Sequence, residues 1–442
     1  MNTPIGIIGF GIEGRSTLAW LQARGLTDIT VFDRQEPELL PKDITYGGKG
    51  ENYLAGLDQM ATAFRSAGVR PDLPEIIRFK AGGGRLTSQI ELVFEELGRQ
   101  RILGVTGTVG KGTTCALLEA MLDRSGQPAV LGGNFGLPAL DAIRDLPAGA
   151  NLILELSSFQ LATLNQGPSR AAVLRTTVEH LDWHPNRREY WECKANLVKF
   201  QTPADFLVWC SDADGSRWIA GQSPARKRSY GSDGGIILDQ DRLHFVREGR
   251  YLGLEEIKLP GAFNLENVAA AAALALDCGC EFDAIAEAAR GFAGLEHRLE
   301  KVGESRGIAF YNDSYATRPE ATMGAVAALA PRPLGLILGG SDKGADFRFM
   351  GRFLHDQVHL KAVALIGDTA PRLLEDLQSS GVEADFRLCA GLEDSLEFLL
   401  EKVPAGGSIA LSPACASFGL FANYKQRGKA FKDLVSRYIM PP

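Results

Sequence analysis

The chain has 442 residues, 45% of them apolar and 23% charged, which allows two or three globular domains, each with its own core. Its net charge of −7 argues against nucleic acid as the main partner, and no apolar run reads as a membrane span. The opening "MNTPIGIIGF" enters a strand directly, without the charged segment of a signal peptide, and seven scattered cysteines read as free thiols in a reducing cytosol.

Apolar, β-rich runs alternate with amphipathic stretches almost from end to end, the pattern of an α/β chain with parallel sheets and crossover helices. The first strand, "IGIIGF", runs into Gly9, Gly11 and Gly14 at G-x-G-x-x-G spacing, and Asp33 closes the next strand, "DITVFD". Taken alone, that combination reads as a dinucleotide site. The glycine-rich "KAGGGRLTSQ" (80–89) then marks a break. Behind it, "RILGVTG" passes through "GTVGKGTT" into a stretch of helical spacing. Backbone N–H groups from Gly107 to Lys111, at the positive end of that helix and beside the Lys111 ammonium, suit a phosphate chain. Strict Walker spacing asks for glycine at position 105, where Val105 stands, so an ordinary glycine turn competes with a phosphate loop.

The strand "NLILELS" ends on Glu155, either a strand-end glutamate reaching solvent or a ligand for Mg²⁺. After the next strand, "AAVLRTT", come Glu179, His180 and Asp182, at the carboxyl edge where open α/β sheets bind ligands. "DFLVWC" follows, then a polar stretch over 231–259 that reads as antiparallel, then a helix-rich segment ending in a further break over 294–314. "LGLILGG", "AVALIG" and "SIALSPA" build a last block. Boundaries near 96 and 298 divide the chain into 1–96, 97–298 and 299–442.

The segments "GTVGKGT", "LELSSFQL", "EHLDWH", "EYWECKANL", "GAFNLENVAAAAAL", "LEHRLE", "YNDSYAT", "LGGSDKGADF" and "LSPACASF" stand in the order and at the spacing of the Mur ligases. The chain resembles that family over essentially its whole length. The resemblance implies three domains: a Rossmann-like domain for a uridine nucleotide, a central P-loop-type ATPase domain with a mainly parallel sheet, and a Rossmann-like domain that receives an amino acid. It further implies a monomeric cytoplasmic ligase of peptidoglycan precursor synthesis. With ATP and two Mg²⁺ ions, such an enzyme couples D-glutamate to UDP-N-acetylmuramoyl-L-alanine through an acyl phosphate and a tetrahedral intermediate.

Carried over motif by motif, the resemblance gives Lys111 the phosphates, within a loop that includes Gly107, Thr108, Gly110, Thr113 and Thr114. Glu155 and His180 would each ligate magnesium, joined by Thr113 and by Lys194 as a carbamate. Asn264 and Asn267 would lie beside the adenine, and Arg298 and Asp313 would meet ATP phosphate and ribose. Gly11, Ile12, Glu13, Asp33 and Arg34 would hold the uridine diphosphate, and Asn134 the muramoyl group. Thr317, Lys343, Ser417, Phe418 and Tyr424 would receive glutamate. Without the resemblance, Lys194 reads as an exposed helix lysine and Asn264 as a helix cap.

Several residues depart from the family pattern. Gly112 stands where a magnesium-binding hydroxyl is usual, and Arg175 replaces an asparagine, bringing positive charge near the phosphates. Tyr315 replaces the lysine of "NDSKAT", which in the family helps position the acceptor, and Ala67 replaces the proline of "S-P-G". These leave open the same chemistry with L-glutamate or another acceptor, and a catalytically silent nucleotide-binding relative.

Overall fold

The computed structural model describes the whole chain except residues 38–39, 49, 145, 178, 180–182, 240, 260, 262, 342–345 and 440–442. Among the described residues the strands form three sheets, as an α/β chain with mostly parallel pairing. The chain folds as two compact units, 1–257 with 263–292 and 258–262 with 293–442.

The first sheet is all parallel, in the order Thr45–Gly48, Ile29–Phe32, Ile5–Ile8, Thr62–Arg65, Arg85–Thr87. Ile5, Ile7, Ile29 and Val31 are buried, because helices cover both faces of a parallel sheet. The order reverses at Ile5–Ile8, so the glycine turn after that strand sits at the switch point where such sheets open a crevice. Gly9 there has φ +86, and a Cβ on Gly14 would lie 2.2 Å from the Gly9 carbonyl oxygen. Only glycine at position 14 lets the helix Ile12–Gln22 come so close to the turn.

The second sheet places six parallel strands in the order Ala129–Gly133, Asn151–Glu155, Ile102–Thr106, Arg170–Val173, Phe206–Cys210, Arg226–Gly231. The polar stretch expected to be antiparallel forms a meander on its flank, Ile236–Leu238, Arg242–Phe245 and Arg250–Gly253. One buried apolar cluster runs from the first sheet into the second, through Ile7, Val31, Phe94, Leu140, Leu154 and Val173. The helix Phe263–Asp277 packs against the helix Lys111–Arg124. Residues 269–273, all alanine and all buried, keep its surface flat enough for that approach.

In the second unit, Glu300–Ser305 pairs antiparallel with Ile308–Asn312. Parallel neighbours then follow in the order Ser408–Leu411, Leu334–Gly339, Leu360–Ile366, Asp385–Leu388. Two cores cover its faces, one around Leu336, Val363 and Leu373, the other around Ile337, Ala364 and Phe431. All seven cysteines are free thiols. Among the described residues no helix is long and apolar enough to cross a membrane.

Gly14→Ala is expected to lower stability by about 1–3 kcal/mol through overpacking against Gly9, measured by denaturant unfolding. Gly11→Ala, where a Cβ meets nothing within 4 Å, is its control and leaves the unfolding midpoint in place.

Candidate active site

Val105 pairs with Glu155 and Thr106 with Val173, so three strands release their chains side by side at one edge of the second sheet. The turn after Thr106 needs its glycines. Gly107 has φ +154 and Gly110 φ +85. A Cβ on Gly110 would lie 2.1 Å from Asn267 Oδ1. Lys111 opens the helix Lys111–Arg124 and donates from Nζ to the carbonyls of Gly107 (3.0 Å) and Thr108 (2.9 Å). Thr108 accepts from Thr177 N and lies 3.0 Å from Tyr190 Oη. The buried Thr114 hydroxyl donates to Asn267 Oδ1 (3.3 Å), and Asn267 Nδ2 donates to Asn264 Oδ1 (2.8 Å). The two asparagines thus brace the phosphate-type helix from behind. Thr113 is half-buried.

Glu155 is only 2% exposed, which sets aside a strand-end carboxylate reaching solvent. Its Oε1 accepts from Asn134 Nδ2 at 2.8 Å, while Oε2 is buried and has no hydrogen-bond partner among the described residues. A buried carboxylate oxygen left bare is unfavourable, and a cation satisfies it. Lys194 is not an exposed lysine either: it is 1% exposed, and Nζ donates to the Gly107 carbonyl (2.9 Å) and to Thr106 Oγ1 (3.3 Å). Burial first, and the Lys111 ammonium second, hold its pKa well below the usual lysine range, against the pull of Glu179 and Glu155. His180 and Asp182 lie outside the described residues.

At the first sheet, Asp33 takes the Phe10 N–H on Oδ2 (2.6 Å) and the Gln35 N–H on Oδ1 (3.0 Å), stitching two strand ends together. The Arg34 guanidinium stands 5.5 Å over the Tyr53 ring, and Gly11 and Ile12 are exposed. Glu13 is turned inward. It accepts from Ala67 N (2.8 Å) and from Gln160 Nε2 (2.7 Å), and Gln160 Oε1 in turn accepts from Ser157 N (3.1 Å), two residues past Glu155. A proline at position 67 would lack the N–H that Glu13 takes.

In the second unit, Asp313 is buried, accepting from Leu299 N (3.0 Å) and Ser412 Oγ (2.6 Å), and burial pushes its carboxyl up to about 7. The Arg298 guanidinium lies 4.0 Å over the Tyr315 ring, which meets Tyr424 edge-on. Ser417 is buried, Tyr424 half-buried, and Thr317 and Phe418 are exposed. Lys343 lies outside the described residues.

Residues 105–275 match the Mur ligase middle domain and residues 297–415 the glutamate ligase domain of the same family. A UDP-N-acetylmuramoylalanine--D-glutamate ligase of Symbiobacterium thermophilum is 35% identical over 445 residues, covering 97% of each chain. The protein of that name from Acetivibrio thermocellus is also 35% identical, over 98% of this chain and 96% of its own. This chain belongs to the Mur ligase family. A crystal structure of UDP-N-acetylmuramate-alanine ligase from Thermotoga maritima shares the fold, with a TM-score of 0.62 at 18% identity over 98% of this chain and 99% of its own.

One expectation for this Mur ligase needs correction. Arg175 does not present a free charge to the phosphate loop, because its guanidinium grips the Glu266 carboxylate through Nε (3.0 Å) and Nη2 (2.6 Å). Its contribution to the loop is its carbonyl, which accepts from Thr108 N at 3.0 Å. Other participants went unread in the sequence. Tyr190 joins Thr108 to Lys194, whose Nζ stands 4.7 Å from the ring centroid. Its signal was present, since positions 190 and 194 share one helix face. Buried His184 bonds Ser158 Oγ through Nε2 (2.9 Å) and Glu189 through Nδ1, a contact no spacing rule announces.

Asn134 orients the candidate metal carboxylate, so Asn134→Ala is expected to weaken magnesium affinity by about 10–100-fold. Magnesium titration of nucleotide binding measures it.

Proposed function

We propose that this Mur ligase joins D-glutamate to UDP-N-acetylmuramoyl-L-alanine with cleavage of ATP to ADP and phosphate, in cytoplasmic synthesis of peptidoglycan precursor. The observation that carries the reading is the buried, half-partnered Glu155 carboxylate one strand away from the glycine loop of Lys111. That combination suits a metal-bound triphosphate, and similarity to D-glutamate ligases along nearly the whole chain supports the acceptor.

A carboxylate is a poor electrophile, so activation comes first. The carboxylate oxygen of the sugar peptide attacks the γ-phosphorus of ATP, the bond to the bridging oxygen breaks, and ADP departs. The glutamate amine then attacks the acyl carbon, and the tetrahedral centre expels phosphate and loses a proton from nitrogen. Main-chain amides of 107–111 and the Lys111 ammonium hold the phosphates in place. Magnesium at two sites, held by Glu155, His180, Thr113 and a carbamylated Lys194, would offset the charge of the two anions brought together. An uncharged Lys194 amine is the form that adds CO₂.

In this reading Asn264 and Asn267 lie toward the adenine while bracing the loop. Arg298 and Asp313 meet phosphate and ribose, and Thr317, Lys343, Ser417, Phe418 and Tyr424 receive glutamate. Gly11, Ile12, Asp33 and Arg34 face the uridine diphosphate, with Glu13 holding their loop from inside. The active species is a monomer of domains 1–96, 97–298 and 299–442.

Phosphate release with ATP, magnesium and the UDP-substrate is expected to run about a hundredfold or more faster with D-glutamate than with L-glutamate. Turnover with the L-isomer alone overturns the acceptor, and saturable ADP binding without turnover on any amino acid favours the silent relative. A carbamate carbon signal from protein equilibrated with ¹³C-bicarbonate, absent in Lys194→Arg, is expected by NMR.

A further inference from the structure

Tyr315 occupies the place where the family motif carries lysine, and its ring does something a lysine does not. The Arg298 guanidinium carbon lies 4.0 Å from the ring centroid. Tyr424 meets the Tyr315 ring edge-on at 5.0 Å and 89°, and His297 meets Tyr424 at 5.8 Å and 87°. The Tyr315 N–H donates to the His297 carbonyl at 3.0 Å, tying the two segments at the backbone.

Arg298 is also flanked by strain. His297 has φ 66 and Leu299 φ 45, left-handed values that non-glycine residues hold only where their surroundings compel it. The compulsion is visible. His297 N donates to Glu300 Oε2 (2.9 Å), its Nδ1 lies 2.8 Å from Asn312 Nδ2, and Leu299 N donates to Asp313 Oδ1 (3.0 Å). Two strained, pinned residues aim the arginine between them at an aromatic face.

We infer that Tyr315 is a positioning residue for Arg298, so that the lysine position of the family motif serves the nucleotide phosphates in this chain rather than the acceptor. The inference rests on the proposed reading of Arg298 as a phosphate contact. A lysine here would set two cations side by side. A carboxylate would neutralise the guanidinium. An aromatic face attracts and orients it without setting a further full charge beside it.

Steady-state kinetics with ATP and glutamate varied separately test this, with thermal melting as the folding control. Tyr315→Leu and Tyr315→Lys are expected to raise the ATP KM about five- to thirtyfold and leave the glutamate KM in place. Tyr315→Phe, which keeps the face and loses the hydroxyl, retains the ATP KM within about twofold. In an Arg298→Met background, adding Tyr315→Leu has no further effect on the ATP KM. Additive effects in that pair, a shift of the glutamate KM instead, no shift at all, or equal losses in the Phe and Leu variants each overturn the inference. Failure of the unmodified protein to cleave ATP with both substrates present overturns the proposed function itself, which keeps the two failures distinct.

Discussion

One carbonyl oxygen, that of Gly107, accepts from two lysines, Lys111 at 3.0 Å and Lys194 at 2.9 Å. Burial first, and then the repulsion between two ammonium groups sharing a single acceptor, hold the deeper lysine, Lys194, well below the usual lysine range. The edge of the second sheet thereby carries two amines of one chemical type in two environments, one half-buried at the loop and one fully buried beneath it. Parallel pairing sets this up. Because Val105 lies beside Glu155 and Thr106 beside Val173, the turn, the carboxylate and the carbonyl of Arg175 all emerge together. Shifting any of these strands by one residue would reverse which side chains face the core and scatter the site.

The sequence was most legible where local pattern and global fold agree. Apolar strand runs announced three blocks of mainly parallel sheet, and the polar stretch after the second block announced an antiparallel flank. Gly107 and Gly110 were legible as glycines a turn requires, and Gly14 as one that a close approach of helix to turn requires, since each is explained by its immediate neighbours in the chain. Glu155 and Lys194 were visible as motif members, but their burial was not, because burial depends on what the rest of the chain stacks above them. The pairing of Arg175 is hidden from the sequence for the same reason. Its partner Glu266 lies 91 residues away on the helix Phe263–Asp277, and no window along the chain brings the two together.

Departures from a family pattern can come in compensating sets. Ala67 gives up the rigidity of a proline and gains an N–H, and Glu13 uses it to tie the first glycine turn to Gln160 and so to the segment after Glu155. Arg175 replaces a small polar residue and brings a second anchor, Glu266, between a strand end and the helix Phe263–Asp277. Such links are distributed over distant positions, which is why they surface in coordinates and not in spacing.

The left-handed backbone at His297 and Leu299 also bears on durability. Glycine adopts those angles freely, yet it enlarges the freedom of the unfolded chain and would give up the His297 ring contact with Asn312 or the Leu299 side chain in the core, so neither exchange is a simple gain. The two turns keep their shape through the carboxylates of Glu300 and Asp313, so the direction in which Arg298 leaves the backbone is decided by acids at the end of a neighbouring strand pair and not by Arg298 itself.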